Sequence, residues 1–204
     1  MKKILPLVLI LAIGIIGVLY MRSKKTDQAY ETPALESEQI SKESQKVETN
    51  LNPDLSVDEN GLSKATVSIQ TRHGKIRFKF YPKDAPKTVS RIIELINQGF
   101  YNGLTFHRVV PGFVVQGGDP NGNGTGGSGQ NIAAEFNERK HVEGTVAMAR
   151  ASHPDSADSQ FYISLGTHPH LDRNYTVFGK VIEGMNAVKS IKPGDTMDSV
   201  SIEM

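Results

Sequence analysis

Residues 106 to 119 read Phe-His-Arg-Val-Val-Pro-Gly-Phe-Val-Val-Gln-Gly-Gly-Asp, and this stretch carries the strongest information about the fold. Two apolar runs within it, residues 106–110 and 113–116, predict two short strands. Glycines are dense from Gly112 to Gly129, which predicts one long irregular loop inside an otherwise regular domain. We therefore expect a pair of short strands that leads into a glycine-rich loop.

A hairpin is predicted on the N-terminal side of this stretch. Charged and apolar residues alternate strictly in residues 75–80, which places the apolar side chains on one face of a strand. Residues 66–70 alternate likewise, and His73 and Gly74 supply the turn between the two runs. The hairpin should have one buried face and one wet face.

One amphipathic helix is predicted after the hairpin. Asp84 is placed to cap it, Pro86 lies in its first turn and Gly99 marks its end. Its apolar residues fall at helical spacing: Val89, Ile92, Ile93 and Ile96.

The C-terminal part adds short strands and a second, shorter helix. The predicted strands are Thr145–Met148, Phe161–Ser164, residues 177–181 and Ser199–Glu203. Met185, Val188 and Ile191 predict the helix. Antiparallel strands with only two helices favour a closed barrel, because parallel strands would need more crossover connections.

Residues 1–21 predict a transmembrane anchor. An apolar run from Ile4 to Tyr20 lies between Lys2, Lys3 and a second basic group that begins at Arg22. The residues after the apolar core are too large for signal cleavage, so the span should remain uncleaved. The basic residues on the two sides of the apolar run balance one another, so the positive-inside rule does not decide the orientation of the span. We expect the folded domain on the outer side of the cell membrane, by resemblance to signal anchors.

Residues 22–62 are rich in Glu, Ser, Gln, Lys and Thr, and they predict a disordered polar linker. The folded domain should therefore span residues 63–204. The net charge of +1 gives no sign of a nucleic-acid partner, and the absence of cysteine excludes disulfides and thiolate chemistry.

No metal site is expected. Residues 119–124 follow the start of a calcium loop, but Gln130 stands at the twelfth position, where a bidentate Glu is needed. His168, His170 and Asp172 contain the residue types of a metal cluster, but they are expected to lie on a loop without binding a metal ion.

Three stretches of the sequence together resemble the cyclophilin family. Residues 106–119 resemble its central signature, and Asn-Gly-Thr-Gly-Gly at residues 123–127 resembles the loop that follows it. The third stretch runs from Met-Ala-Arg at residues 148–150 to Val-Phe-Gly at residues 177–179. Order and spacing both match over roughly residues 64 to 204.

The resemblance implies a mainly β fold, a closed eight-stranded antiparallel β-barrel capped by two α-helices. It also implies a peptidyl-prolyl cis/trans isomerase that acts on proline-containing polypeptides, assists folding and needs no cofactor. We expect a monomer. The resemblance assigns catalysis to Arg108, Phe113 and Gln116. It assigns substrate contact to ten further positions: His107, Gly124, Met148, Ala149, Arg150, Gln160, Tyr162, His170, Leu171 and Tyr175.

Arg108 is the residue that the chemistry demands. The amide nitrogen loses conjugation during rotation and gains a lone pair that can accept a hydrogen bond. Arginine is always protonated and presents its N–H groups in a rigid fork, so it can donate without proton transfer. The resemblance implies that the apolar pocket for the proline ring is formed by Phe113, Met148, Tyr162 and Leu171.

Three positions depart from the pattern common in cyclophilins. His170 stands where many members have tryptophan, which should weaken cyclosporin binding. Tyr175 replaces a common histidine and Arg150 a common asparagine, and both changes should shift peptide preference. The alternative function is a proline-peptide-binding chaperone or scaffold with weak turnover, which needs the pocket but not Arg108.

Overall fold

The structure is a computed structural model that describes residues 64 to 203. The predicted anchor at residues 1–21 and the predicted linker at residues 22–62 lie outside the described residues. Within the described range, neither helix is long and apolar enough to cross a membrane.

Eight strands form one antiparallel sheet, and each lies where the sequence pattern predicts a strand. They are β1 (Thr66–Thr71), β2 (Gly74–Phe80), β3 (Arg108–Val110), β4 (Val114–Gly117), β5 (Thr145–Met148), β6 (Phe161–Ser164), β7 (Val177–Glu183) and β8 (Ser199–Glu203). Their order across the sheet is β3-β4-β6-β5-β7-β2-β1-β8.

The sheet curls, but its two end strands share no ladder, which corrects the prediction of a fully hydrogen-bonded barrel. The strand β3 has only three residues, so the residues before it make the contact with the other end. Thr105 bridges Thr196, the Gly103 N–H donates to the Met197 carbonyl at 2.7 Å, and the Met197 N–H donates to Leu104 at 2.8 Å. Two loop segments therefore close the seam between β3 and β8.

Two helices pack against the sheet, α1 (Pro86–Asn97) and α2 (Met185–Ser190). The apolar stripe of α1 is buried as predicted, at Val89, Ile92 and Ile96. Because these residues recur at helical spacing, one side of α1 faces the core.

The free N–H groups in the first turn of α1 are hydrogen-bonded by a different residue from the predicted one. Asp84 does not cap the helix and instead forms an ion pair with Arg139 at 2.9 Å. The carboxylate of Glu135 accepts from the N–H groups of Lys87 at 2.9 Å and Thr88 at 2.8 Å. A residue far along the chain thus replaces the local cap, because any carboxylate that reaches these free N–H groups can satisfy them.

The two faces of the sheet bury different clusters. Residues alternate between faces along a strand, so Val115 enters the central core while its neighbour Val114 faces outward. We call the smaller outward group the outer cluster; its buried members are Val114, Ala147, Tyr162, Leu171 and Val177.

Gly118 directs the chain out of β4 toward the glycine-rich loop. Its φ is +84°, and a Cβ at this position would lie 2.5 Å from the Ser159 carbonyl oxygen. Only glycine adopts this conformation at such a close approach without strain.

Candidate active site

A cavity of about 180 Å³ opens over the outer cluster. We call it the aromatic cavity, and its lining residues are Arg108, Phe113, Val114, Gln116, Ala149, Arg150, Tyr162, Leu171 and Tyr175. Three adjacent strands, β3, β4 and β6, supply its wall and place the polar residues at one edge.

Arg108 is exposed at this edge and is oriented by a chain of side-chain amides. It lies opposite Gln116 across the β3–β4 pair, and its Nη1 donates to the Gln116 Oε1 at 3.2 Å. The Gln116 Nε2 then donates to the Gln160 Oε1 at 2.9 Å. The Gln160 Nε2 in turn donates to the carbonyls of Gly124 at 3.1 Å and Gly126 at 2.8 Å. Because arginine only donates, the Gln116 side chain must turn its oxygen toward Arg108 and its nitrogen toward Gln160, and Gln160 is oriented in the same sense.

Phe113 is held at the rim by two histidines. The His168 ring meets it edge-on at 4.8 Å, and the His168 Nε2 lies 3.0 Å from the Phe113 carbonyl, to which it donates. The His170 ring stacks on Phe113 at 6.0 Å with an interplanar angle of 17° and lies 6.0 Å from the His168 ring. The Arg108 guanidinium lies 5.6 Å from the Phe113 ring centroid, within the range of a cation–π contact.

The phenol of Tyr162 is anchored beneath the cavity by a buried histidine. Its hydroxyl lies 2.9 Å from the His141 Nε2, and the His141 Nδ1 lies 3.1 Å from the Asp172 carboxylate. Since a carboxylate only accepts, Nδ1 carries the proton, and Nε2 accepts from the tyrosine. Burial lowers the pKa of His141, against the opposite effect of Asp172, and burial raises the pKa of Tyr162. Both groups therefore stay neutral at pH 7.

The Arg150 side chain extends from the end of β5 to the loop that precedes β7. Its Nε and Nη2 donate to the Asn174 carbonyl at 3.2 and 3.0 Å. Its Nη1 donates to the carbonyls of Ala151 at 2.9 Å and Ser152 at 3.1 Å. The guanidinium also lies 4.8 Å from the ring centroid of Tyr175, which fixes one side wall of the cavity.

A second cavity, of about 280 Å³, adjoins the first. We call it the glycine-loop cavity; it is lined by Gln116, Gly124, Thr125, Gly126, Gly127, Asn131, Ala149, Arg150, Ala151, Ser156, Asp158 and Gln160. The two cavities share Gln116, Ala149 and Arg150. They form one continuous groove.

Two carboxylates hold the loop that lines the second cavity. Asp119 accepts from the N–H groups of Asn121 at 2.8 Å, Asn123 at 3.0 Å and Gly124. Burial acts to raise the pKa of Asp119, but the three N–H groups outweigh it and hold the pKa below its usual range. Asp158 accepts from the N–H groups of residues 128 and 129 at 2.8 and 2.9 Å.

The structure brings together most of the residues that the sequence predicts for the site. Arg108, Phe113, Gln116, Ala149, Arg150, Tyr162, Leu171 and Tyr175 line the aromatic cavity, and Gly124 and Gln160 line the glycine-loop cavity. His170 reaches the site only through its stacking on Phe113. No group of three or more side chains in residues 64–203 is arranged to hold a metal ion.

Besides His170, two predicted positions line neither cavity. Met148 is 1% exposed and belongs to the central core, because it pairs with Phe161 on the inner face while Ala147 pairs with Tyr162 on the outer face. The His107 ring lies beside Gly124, and its nitrogens have no partner among the described residues. Burial lowers the pKa of His107.

Sequence reasoning missed Val114 and His141. Val114 lines the aromatic cavity in the role predicted for Met148, and the alternation along β4 is the signal that could have found it. His141 carries no local signal, because its partners lie 21 and 31 residues away along the chain.

Comparisons with known proteins agree with this geometry. Residues 66–203 match the family model "Cyclophilin type peptidyl-prolyl cis-trans isomerase/CLD". The chain is 46% identical over 136 residues to a peptidyl-prolyl cis-trans isomerase of Synechococcus elongatus, which is 66% of this chain and 93% of that protein. It is 49% identical over 131 residues to peptidyl-prolyl cis-trans isomerase B of Bacillus subtilis, which is 63% of this chain and 91% of that protein.

A solved structure shares the fold. It is a cyclophilin-type isomerase of Cryptosporidium parvum, determined in the presence of the dipeptide Ala-Pro, with a TM-score of 0.64 and 31% identity over 68% of this chain and 99% of that chain. The family model covers more than half of the present chain, and its relatives are named isomerases. The chain therefore belongs to the cyclophilin-type peptidyl-prolyl cis-trans isomerase family.

Proposed function

We propose that Arg108 catalyses rotation about X-Pro bonds by donating a hydrogen bond to the proline nitrogen as that nitrogen becomes pyramidal. The observation that carries this proposal is the position of Arg108, a donor-only side chain on the edge of a cavity whose opposite walls are aromatic and aliphatic. One of its bonds goes to Gln116, and no carboxylate within residues 64–203 pairs with it. Its remaining N–H groups are thus available to a substrate.

The proline ring would occupy the aromatic cavity against Phe113, Val114, Tyr162 and Leu171. Apolar walls exclude water, and a hydrogen bond from a cation is stronger where water is excluded. Because the lone pair develops only in the twisted state, this bond favours the transition state over either ground state. Removal of one such donor in other enzymes costs on the order of 10² to 10³ in rate.

No acid–base step is needed, and the buried titratable groups fit a supporting role. His141 has a fully buried ring whose Nε2 accepts from the Tyr162 hydroxyl. Burial keeps Tyr162 protonated, and the residue lines the cavity while its hydroxyl bonds to His141. The site binds and orients, and the amide rotates without bond cleavage.

The test compares the wild type with Arg108→Ala and Arg108→Lys in a fragment of residues 63–204. This fragment should fold alone, since the matched region makes up 93% and 91% of two relatives. We expect Arg108→Ala to lose about 10² to 10³ in kcat/KM for an X-Pro peptide, with peptide affinity nearly unchanged. Arg108→Lys should recover only part of the activity, because a lysine lacks the planar fork.

Arg173→Ala is the matched control, because Arg173 is an exposed arginine whose charge pairs with Glu138 outside both cavities. It should keep wild-type activity. Equal rates near background in the wild type and Arg108→Ala, with peptide affinity retained, would contradict the proposal and leave a proline-peptide-binding module.

We also propose that residues 1–21 anchor the enzyme in the cell membrane, with the isomerase on the outer side, where it would assist folding of exported chains. The uninterrupted apolar run between basic residues supports this. Slow X-Pro isomerisation commonly limits refolding, so exported chains are suitable substrates. Protease added to intact cells should degrade the isomerase domain; a domain protected until the cells are lysed would contradict the orientation.

A further inference from the structure

Arg150 lies on the wall that the two cavities share, together with Gln116 and Ala149. Its guanidinium packs between two rings, 4.8 Å from the centroid of Tyr175 and 5.7 Å from that of Phe136. A peptide whose proline occupies the aromatic cavity must pass beside this cation to reach the glycine-loop cavity.

The position of the guanidinium is fixed, but its charge is not neutralised by an anion. Its four hydrogen bonds go to main-chain carbonyls, those of Ala151, Ser152 and Asn174. These groups are polar but uncharged, and no carboxylate among the described residues forms an ion pair with Arg150. Of the five N–H groups of an arginine, one therefore keeps its capacity to donate.

Two other charged residues line the groove; Arg108 adds to this positive region and Asp158 opposes it. Arg108 lines the aromatic cavity and also lacks a carboxylate partner among residues 64–203. Asp158 lines only the glycine-loop cavity, and its two oxygens already accept from Ser128 and Gly129. A ligand carboxylate at the wall between the cavities is thus attracted by Arg150 and Arg108 more strongly than it is repelled by Asp158.

We propose that Arg150 gives this isomerase a preference for proline-containing segments that carry an acidic side chain within two residues of the proline. The inference rests on the proposed binding of the proline ring in the aromatic cavity. In an extended peptide two residues span about 7 Å, and the two cavities share Gln116, Ala149 and Arg150, so the residues that flank the proline pass along this shared wall. Because the guanidinium is already held in place, little side-chain entropy is lost when it binds a carboxylate.

The test uses paired peptides that differ only by Glu or Gln, placed in turn at each of the two positions before and after an X-Pro bond. The quantity measured is the Glu-to-Gln ratio of kcat/KM for one enzyme variant. This ratio cancels any loss of folded enzyme, which matters because Arg150 also tethers residue 174. We expect a ratio of about two to five at one position or more in the wild type, the range of an exposed ion pair.

The variants separate charge from geometry. Arg150→Gln should bring the ratio to about one, and Arg150→Glu should bring it below one. Arg150→Lys should keep a ratio between those of the wild type and Arg150→Gln, because it keeps the charge and loses the fork. The ratio in the wild type should also fall toward one in about 0.5 M salt, since exposed ion pairs are screened.

Arg173→Gln is the matched control, since it removes an exposed arginine that lines neither cavity, and it should keep the wild-type ratio. A wild-type ratio of about one at every position, with fast isomerisation, would overturn this inference and leave the proposed function intact. An unchanged preference for Glu in Arg150→Gln would also overturn it. Near-background rates with every peptide in the wild type would instead contradict the proposed function.

Discussion

The aromatic cavity and the glycine-loop cavity adjoin each other but are held in place differently. Arg108, Gln116 and Tyr162 of the aromatic cavity lie on three neighbouring strands, so the register of the sheet fixes their spacing. The loop of the second cavity, residues 121–131, belongs to no strand of the sheet. Two carboxylates, Asp119 and Asp158, collect its N–H groups instead.

The difference shows how a loop without a ladder becomes ordered. Buried backbone N–H groups need acceptors, and a carboxylate can accept several at once. The loop must then pass very close to the carboxylate. A Cβ on Gly126 would lie 2.1 Å from the Asp119 Oδ1, so glycine is required where the chain folds around the acid. The group proposed for catalysis lies on the strands, and a residue proposed for peptide preference lies between strand and loop.

The largest effect is expected from breaking the support of the aromatic cavity. His141→Ala would leave a cavity under the pocket, remove the partner of the Tyr162 hydroxyl and remove one of the partners of Asp172. We expect a loss of about 3 to 5 kcal/mol in the free energy of unfolding, measured by urea denaturation of residues 63–204. Tyr162→Phe removes one hydroxyl and should cost about 1 kcal/mol. Equal losses in the two variants would show that the histidine does not support the cavity floor.

A smaller effect is expected from releasing the glycine loop. Asp119→Ala removes three hydrogen bonds to a carboxylate and should cost about 2 to 3 kcal/mol in the free energy of unfolding. Amide hydrogen exchange should accelerate at Asn121, Asn123 and Gly124, while the strands β4 and β6 stay protected. Equal acceleration in β4 would contradict the separation of the two cavities. Asp119→Asn keeps the shape and some acceptor capacity, so its loss should be smaller.

The smallest effect is expected from pH, and it concerns two histidines, His141 beneath the aromatic cavity and His107 beside Gly124. Burial lowers the pKa of His141 and of His107, so the unfolded chain binds protons that the folded chain does not. Stability is therefore complete above about pH 6.5, the unfolded pKa, and falls as the pH is lowered from there. The free energy of unfolding should decline from pH 7 to pH 5 in the wild type. It should decline less in His141→Gln and in His107→Gln.

Of the two variants, His141→Gln should show the smaller decline in the free energy of unfolding from pH 7 to pH 5, because the His141 ring is fully buried whereas His107 is only partly buried. A slope that is unchanged in both variants would contradict the assignment. Asp172 also has a lowered pKa, because it accepts from the His141 backbone N–H, and its contribution is lost only at more acid pH, below about 4.

Local sequence patterns predicted the strands well. They were wrong about which residue caps α1 and about the face of β5 on which Met148 lies. The apolar stripe of α1 and all eight strand positions were predicted correctly, since alternation and helical spacing are properties of neighbouring residues. Asp84 was wrong as a helix cap because Glu135 reaches the same N–H groups from a distant loop. Met148 was placed on the groove although β5 turns it into the core.

The sequence by itself determined the family, the order of the strands along the chain and most of the residues of the groove, because these depend on short motifs and on the period of apolar residues. Only the tertiary structure decided how the groove residues are held. Three sets of hydrogen bonds join residues that are far apart in sequence or lie on different elements. They are the bond of His141 to Tyr162, the bonds of two carboxylates to the glycine loop, and the bonds of Arg150 to main-chain carbonyls. Such contacts depend on where the sheet curls and where loops return to it, and no local pattern encodes them.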